Sequence, residues 1–176
     1  KGQSMDISWD INNNFDLISE DYLQMAERKT AYYSCAIPLV IGAICAGAKP
    51  EQVEALREFG MKTGLAFQIQ DDLLCLLSNQ ATANKDLASD IKEGKRTFVL
   101  LKALELASSK QRARLVEILN SAKVSESNII EFKGILERSG AVDESIAYTN
   151  KLSNHAKSLL SARLKDSRAR QLMLSM

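Results

Sequence analysis

The stretch FQIQDDLLCLLSN, residues 67–79, places two adjacent carboxylates, Asp71 and Asp72, inside an apolar run. They are the only charged residues between Thr63 and Leu77. An unpaired carboxylate in an apolar setting is costly, and two neighbouring ones cost more. The pair therefore predicts a compensating partner that lies close by in the folded chain.

Apolar residues recur around the pair with the period of an α-helix, which predicts a helix from Glu51 to Leu77. On a helical wheel the small and polar residues share one stripe, and the large apolar residues lie roughly opposite. This stripe contains Gly60, Gly64, Gln68, Asp71 and Cys75, with Asp72 just beside it.

The rest of the chain also has helical periodicity, without sustained alternating runs. This pattern predicts an all-α bundle that forms a single domain over residues 1–176. Ser19 and Ser125 are predicted N-caps, and Gly140 is a predicted helix stop. Further helices are expected at about 20–46 (kinked at Pro38), 96–107, 110–121, 126–138, 142–164 and 166–176, and residues 78–95 are expected to form a polar loop.

Composition excludes several function classes. Lys and Arg number 23 against 22 Asp and Glu, so no basic surface predicts nucleic-acid binding. The uncharged stretch 31–48 is at the lower edge of membrane-spanning length and contains Pro38, which favours a fully buried central helix instead. Three cysteines without a CxxC pair indicate reduced, buried thiols. We therefore expect a cytoplasmic protein without a membrane span.

Three arrangements would stabilise the carboxylate pair: solvation at a surface, a shared proton, or a bound cation. The lack of other charges nearby disfavours a solvated face, and adjacent helical residues diverge by about 100°, which disfavours a shared proton. A hard divalent cation such as Mg²⁺ fits better, because it is commonly held by one or two carboxylates together with substrate phosphates.

Cationic residues that could hold those phosphates lie close in sequence. Lys85, Lys92, Lys95 and Arg96 follow the acidic pair, and Lys29 lies beside the hydroxyl of Thr30 where the chain turns apolar. A lysine next to a hydroxyl suits a phosphate contact. Each lysine alone is equally typical of a solvated surface, but acids and lysines together favour a Mg²⁺-diphosphate site.

The ordered motifs FQIQDDLLC and NKDLASDIKEGKRT resemble the second aspartate-rich region of the trans-isoprenyl diphosphate synthases, the family of farnesyl and geranylgeranyl diphosphate synthases. Upstream, GQSMDI (2–7) is similar to that family's GQ-x-x-D helix. EDYLQMAERKTAYYS resembles its segment that begins Y-x-x-M and ends in KTA. These four blocks cover residues 2–97, and the similarity of residues 98–176 is weaker.

The resemblance implies an isoprenoid synthase helical bundle with a deep central cavity. It also implies a site that binds allylic diphosphate and Mg²⁺. Asp71 is the implied metal ligand, and Asp72 belongs to the same motif in a water-mediated or supporting role. The implied catalytic and diphosphate-binding residues are Lys29, Thr30, Gln68, Lys85 and Lys95, and Gln3 and Phe67 would line the site.

The implied reaction joins isopentenyl diphosphate to an allylic diphosphate and yields a short-chain (C15–C20) prenyl diphosphate, in a homodimer. Departures from the pattern are Cys75 at the fifth motif position, Asn84 and Ala88 in place of two loop glycines, and the absence of a second DDxxD. We therefore expect an N-terminally truncated fold that carries the second aspartate motif and is inactive alone.

Two alternatives remain open. A non-catalytic relative that pairs with an active subunit would suit Cys75 and the missing motif. A helical interaction module without diphosphate chemistry would show no Mg²⁺-dependent ligand binding and no effect of changing Asp71.

Overall fold

The computed structural model describes residues 1–11, 14–78 and 81–175, with the backbone alone for Asp10 and residues 81–86. Within these ranges the chain contains helices and no strand, so the all-α prediction is confirmed. The elements are α1 (Gly2–Ile11), α2 (Ser19–Ala26), a π-helical segment (Glu27–Ala36), α3 (Ile37–Cys45), α4 (Pro50–Leu77), α5 (Ala81–Glu93), α6 (Phe98–Leu106), α7 (Ser109–Leu119), α8 (Glu126–Arg138), α9 (Ala141–Arg163) and α10 (Arg168–Leu174).

Helix ends follow local capping chemistry. The Ser125 hydroxyl accepts a hydrogen bond from the backbone N–H of Asn128, which confirms this predicted N-cap of α8. Gly140 separates α8 from α9 with φ of 81°, as predicted for a helix stop. The prediction for Ser19 is wrong: Ile18 is the N-cap of α2, and the Ser19 N–H donates to a carboxylate oxygen of Glu105 at 2.6 Å.

The predicted loop over residues 78–95 is wrong for most of its length, because residues 81–93 form α5. Polar composition suggested a loop, but Leu87 and Ile91 are spaced four residues apart and both are buried against the core. Gly94 ends this helix with φ of 70°, a conformation that a residue with a side chain adopts only under strain.

The stretch 31–48 is not the fully buried helix that its composition predicts. Small residues, Ala31, Ala36 and Ala43, are its buried residues, whereas Tyr33 and Ile44 are more than 60% exposed. The tight contact with α4 needs small side chains, so the large apolar ones point elsewhere. The prediction that all three thiols are buried is likewise wrong, because Cys45 is exposed.

The helix that runs from Ser19 to Cys45 changes its winding in the middle without a break. Across the π-helical segment the hydrogen bonds span five residues, as in the bond from the Ile37 N–H to the Tyr32 carbonyl. Pro38 lies in the first turn of α3, where its missing N–H costs least. No helix in the described part of the chain is both long and apolar enough to cross a membrane.

Two glycines bring α4 into close contact with the π-helical segment. A Cβ atom on Gly60 would lie 2.6 Å from the Cα of Ala36, and one on Gly64 would lie 2.6 Å from the Cα of Ala31. Real Cβ contacts are not that short. The opposite side of α4 packs on α9 and α6 around a core that includes Ile69 and Leu73. The first part of the polar stripe of α4, from Gly60 to Gln68, therefore faces the preceding helix.

We predict that Gly60→Ala destabilises the fold by about 1–3 kcal/mol, because the new methyl group meets backbone that cannot move without shifting the helix. Gly42→Ala is the matched control. Gly42 lies in α3 with open space around its Cα, so alanine there should raise stability by up to about 1 kcal/mol through helix propensity. Urea unfolding monitored by circular dichroism measures both. Equal effects of the two substitutions would contradict the close helix contact.

Candidate functional site

The close contact of α4 with the π-helical segment aligns two predicted site residues. The Thr30 hydroxyl donates to the side-chain oxygen of Gln68 at 2.9 Å. Both side chains are half-buried. This hydrogen bond connects the KT pair to the stripe that carries the acidic residues.

Lys29, the other residue of that pair, is already paired with an acid. Its ammonium lies 2.5 Å from a carboxylate oxygen of Asp6, which belongs to the GQSMD sequence on α1. Gly2 permits this approach, because a Cβ there would lie 2.6 Å from the Cα of Lys29. The first two sequence blocks thus meet directly at Lys29.

Asp72 is buried, with a side chain that is 2% exposed. One of its oxygens accepts a hydrogen bond from the Tyr22 hydroxyl at 2.7 Å. The other lies 3.2 Å from the Lys95 ammonium, which also contacts Asp90 at 3.4 Å. The partners of the buried acid, Asp72, are therefore a phenol and a lysine of the same chain.

Burial is the largest influence on the pKa values in this network. Burial raises the pKa of the Asp72 carboxyl, while the Lys95 ammonium and the Tyr22 hydroxyl oppose that rise. For Lys95, burial lowers the pKa, but the carboxylates of Asp72 and Asp90 outweigh it, so the pKa rises above its ordinary value. Lys95 is therefore a cation throughout the physiological range.

Tyr22 lies among the acids of two other segments, α1 and α4. Burial raises the pKa of its phenol well above the usual value. The negative charges of Asp72, Asp6 and Asp71 raise it further. The phenol therefore stays protonated and acts as a hydrogen-bond donor. It also marks the place where α2 meets the acidic residues of α1 and α4.

Asp71 differs from its neighbour. Its side chain is exposed, so the interpretation of two buried acids is wrong for Asp71 and holds for Asp72. Among the described residues no group of three His, Cys, Asp or Glu side chains could hold a metal by itself. A cation at Asp71 would need ligands from elsewhere, such as phosphate oxygens and water, and its role as metal ligand stays a prediction.

The remaining predicted site residues are either exposed or have a side chain that the structure does not describe. Gln3 is exposed, and Phe67 is 64% exposed on α4. Lys85 is part of α5, where the structure describes its backbone and not its side chain. The structure therefore brings Lys29, Thr30 and Gln68 together with the acids, and it leaves Gln3, Phe67 and Lys85 as predictions.

Sequence reasoning missed three residues of the site: Asp6, Tyr22 and Asp90. Asp6 and Tyr22 stand inside the motifs that carried the resemblance, at the end of GQSMD and at the start of YLQMAERKT. Tyr22 precedes Lys29 by seven residues, two helical turns, which places both on one side of a regular helix. That spacing was the available signal for Tyr22, and Asp90 stands inside the quoted block NKDLASDIKEGKRT, five residues before Lys95.

Arg96 anchors the segment around Lys95. Its side chain is buried, with its guanidinium 4.2 Å from the centre of the Phe15 ring. Its Nε donates to the backbone carbonyl of Asn14 at 2.8 Å, and a terminal nitrogen donates to the carbonyl of Gly94. This residue joins the connection between α1 and α2 to the backbone on either side of Lys95.

Comparison with known proteins decides the family. Residues 1–136 match the family described as polyprenyl synthetase. The chain belongs to the polyprenyl synthetase family. It is 40% identical over 143 residues to a short chain isoprenyl diphosphate synthase of Methanothermobacter thermautotrophicus, covering 81% of this chain and 42% of that protein. It is 36% identical over 173 residues to a geranylfarnesyl diphosphate synthase of Natronomonas pharaonis, covering 98% and 48%.

Solved structures agree with this polyprenyl synthetase assignment. A geranylgeranyl pyrophosphate synthase from Corynebacterium glutamicum, complexed with isoprenyl diphosphate and magnesium, superposes with a TM-score of 0.86 at 28% identity. The alignment covers 99% of this chain and 49% of that one. The isoprenoid synthase fold is thereby confirmed, and the chain spans less than half the length of these relatives.

We predict that Asp72→Asn lowers the free energy of unfolding by about 1–3 kcal/mol, because it weakens hydrogen bonds to a buried group. Asp71→Asn is the matched control on the adjacent, exposed position, and it should change stability by less than about 0.5 kcal/mol. Urea unfolding at neutral pH measures both variants. A larger loss for Asp71→Asn than for Asp72→Asn would contradict the burial described above.

Proposed function

We propose that this chain carries the allylic-diphosphate site of a Mg²⁺-dependent prenyltransferase. The reaction condenses isopentenyl diphosphate with an allylic diphosphate and gives a short-chain (C15–C20) prenyl diphosphate. One observation carries the proposal: Lys29 pairs with Asp6 and Lys95 pairs with Asp72, and both of these aspartates act on the Tyr22 phenol. Thr30, next to Lys29, is hydrogen-bonded to Gln68 on the helix that carries Asp72. We place the reaction in the cytoplasm and in a homodimer, following the family resemblance.

The chain's own residues would stabilise the departing diphosphate. The allylic C–O bond breaks with its electron pair going to the diphosphate, and the double bond of isopentenyl diphosphate then attacks the allylic carbon before a proton is lost. Negative charge grows on the leaving oxygens, where the ammonium groups of Lys29 and Lys95 are placed to interact. The Thr30–Gln68 hydrogen bond holds a polar pair beside Lys29.

The donor set fits Mg²⁺ in the way this ion is commonly bound. Mg²⁺ usually takes one or two carboxylates, keeps several waters and completes its shell with substrate phosphates. Asp71 is exposed and supplies such a carboxylate, whereas both Asp72 oxygens already have partners. Bound Mg²⁺ would neutralise charge on the diphosphate and favour its departure. We assign Asp71 as the ligand and Asp72 as a support for Lys95.

A non-catalytic role in partnership with an active subunit is the second candidate. It is favoured by Cys75, which stands where the family motif has a further aspartate. In this role the chain would still bind Mg²⁺-diphosphate but would yield no product, even when supplied with the N-terminal half of an active relative.

We predict that Mg²⁺ and inorganic diphosphate together raise the melting temperature of this chain. At a ligand concentration 100 times the Kd, mass action adds about 2.7 kcal/mol, which corresponds to roughly 5–10 °C for a domain of this size. Geranyl diphosphate should act likewise. Asp71→Ala should abolish the shift, whereas Asp143→Ala, at an exposed position on α9, should keep it.

Differential scanning fluorimetry with and without Mg²⁺ measures these shifts. A shift of the same size without Mg²⁺, or in Asp71→Ala, would reject Asp71 as a metal ligand. No shift from a chain that unfolds cooperatively would reject the proposed site on this chain.

We further predict that Cys75→Asp tightens Mg²⁺-dependent diphosphate binding. Cys75 lies one helical turn after Asp71 and is half-buried, so a carboxylate there would add a second negative group on the same side of α4. Cys75→Asn, similar in size and uncharged, is the control. Isothermal titration calorimetry measures both. Loss of the folded state in Cys75→Asp alone would show instead that the thiol is a core residue.

A further inference from the structure

We propose that Tyr22 is a positioning residue that acts on the diphosphate through Asp72 and Lys95. Its hydroxyl fixes the Asp72 carboxylate, and that carboxylate holds the Lys95 ammonium where a phosphate oxygen can reach it. The inference rests on the proposed function for its ligand, but the side-chain geometry that it requires can be tested without any ligand.

The ring of Tyr22 is held on all sides. Tyr22 is 2% exposed, and its ring centre lies 5.8 Å from that of Phe98 at an angle of 59°. Phe98 in turn stacks on Tyr148 at 5.2 Å. A ring packed in this way has one orientation, so its hydroxyl is a fixed donor and not a mobile one. Its burial also prevents Tyr22 from contacting the substrate itself.

The two carboxylate oxygens of Asp72 contact different partners. Oδ2 accepts the Tyr22 hydrogen bond at 2.7 Å, and Oδ1 faces the Lys95 ammonium at 3.2 Å. A carboxylate that is bound through both oxygens cannot rotate without losing one partner. Without the Tyr22 hydroxyl, one oxygen of this buried group would lack its described donor, and the carboxylate would turn to share the remaining cation.

Lys95 is the solvent-accessible residue at the end of the Tyr22–Asp72–Lys95 series of contacts. Its side chain is 34% exposed. An ammonium has three donors, and Asp72 and Asp90 take two of them. Among the described side chains no other acceptor takes the third, which leaves it for a phosphate oxygen. Because a lysine side chain is long and flexible, the two carboxylates define where its charge stands.

The first test is a double-mutant cycle read by calorimetry with inorganic diphosphate and Mg²⁺. We expect Tyr22→Phe to weaken binding about 3–10-fold, the worth of one hydrogen bond. In a Lys95→Met background the same substitution should have no further effect, since coupled residues do not add. Tyr148→Phe removes a hydroxyl from the same aromatic set and should leave the affinity unchanged.

A purely structural role gives different results. Tyr22→Phe would then lower the melting temperature without changing the affinity, or it would weaken binding equally in both backgrounds. Either result would overturn the proposal.

The second test needs no ligand. Crystal structures of the wild-type chain and of Tyr22→Phe compare the Asp72–Lys95 distance. We expect the 3.2 Å contact in the wild type and a rotated carboxylate with a displaced ammonium in the variant. An unchanged Asp72–Lys95 geometry in Tyr22→Phe would refute the positioning role. If the wild-type chain does not bind Mg²⁺-diphosphate, the proposed function fails, and this comparison still decides the role of Tyr22.

Discussion

The structure depends on the close contact between α4 and the π-helical segment. Gly60 and Gly64 leave no room for side chains between the two backbones, which meet at Ala36 and Ala31. This contact fixes the rotation of α4 about its own axis. The rotation in turn decides that Gln68 faces the KT pair, that Asp72 points inward and that Asp71 points to solvent.

Adjacent carboxylates on a helix diverge by about 100°, and the structure uses this divergence. Asp72 goes into a network that stabilises the fold and holds Lys95. Asp71, at the next position of the helix, stays exposed. The different roles of the two acids therefore follow from helical geometry. Asp72 stabilises the fold, and Asp71 is left accessible to a ligand.

The sequence predicted the helical class, most helix boundaries and the grouping of Thr30 with Gln68, because periodicity and motif spacing are local properties. The predictions from sequence were wrong where local composition indicates one structure and tertiary contacts favour another. Residues 81–93 are polar yet helical, since two apolar residues with helical spacing suffice to hold α5 on the core. Residues 31–48 are apolar yet largely exposed, since the tight contact with α4 accepts only small side chains. The bonds of Tyr22 and Asp90 join residues 50 and 5 positions away, and single-chain patterns carry little information on such pairs.

The pairing of both lysines with acids has a consequence for the kind of anion the site accepts. Among the described side chains, four carboxylates (Asp6, Asp71, Asp72 and Asp90) surround two ammonium groups (Lys29 and Lys95). The local field is formally negative before any ligand arrives. A bare polyanion is therefore repelled, whereas one that arrives with its own countercations is not. Such a site would bind free sulfate and phosphate weakly. It would favour anions that arrive with a bound metal ion.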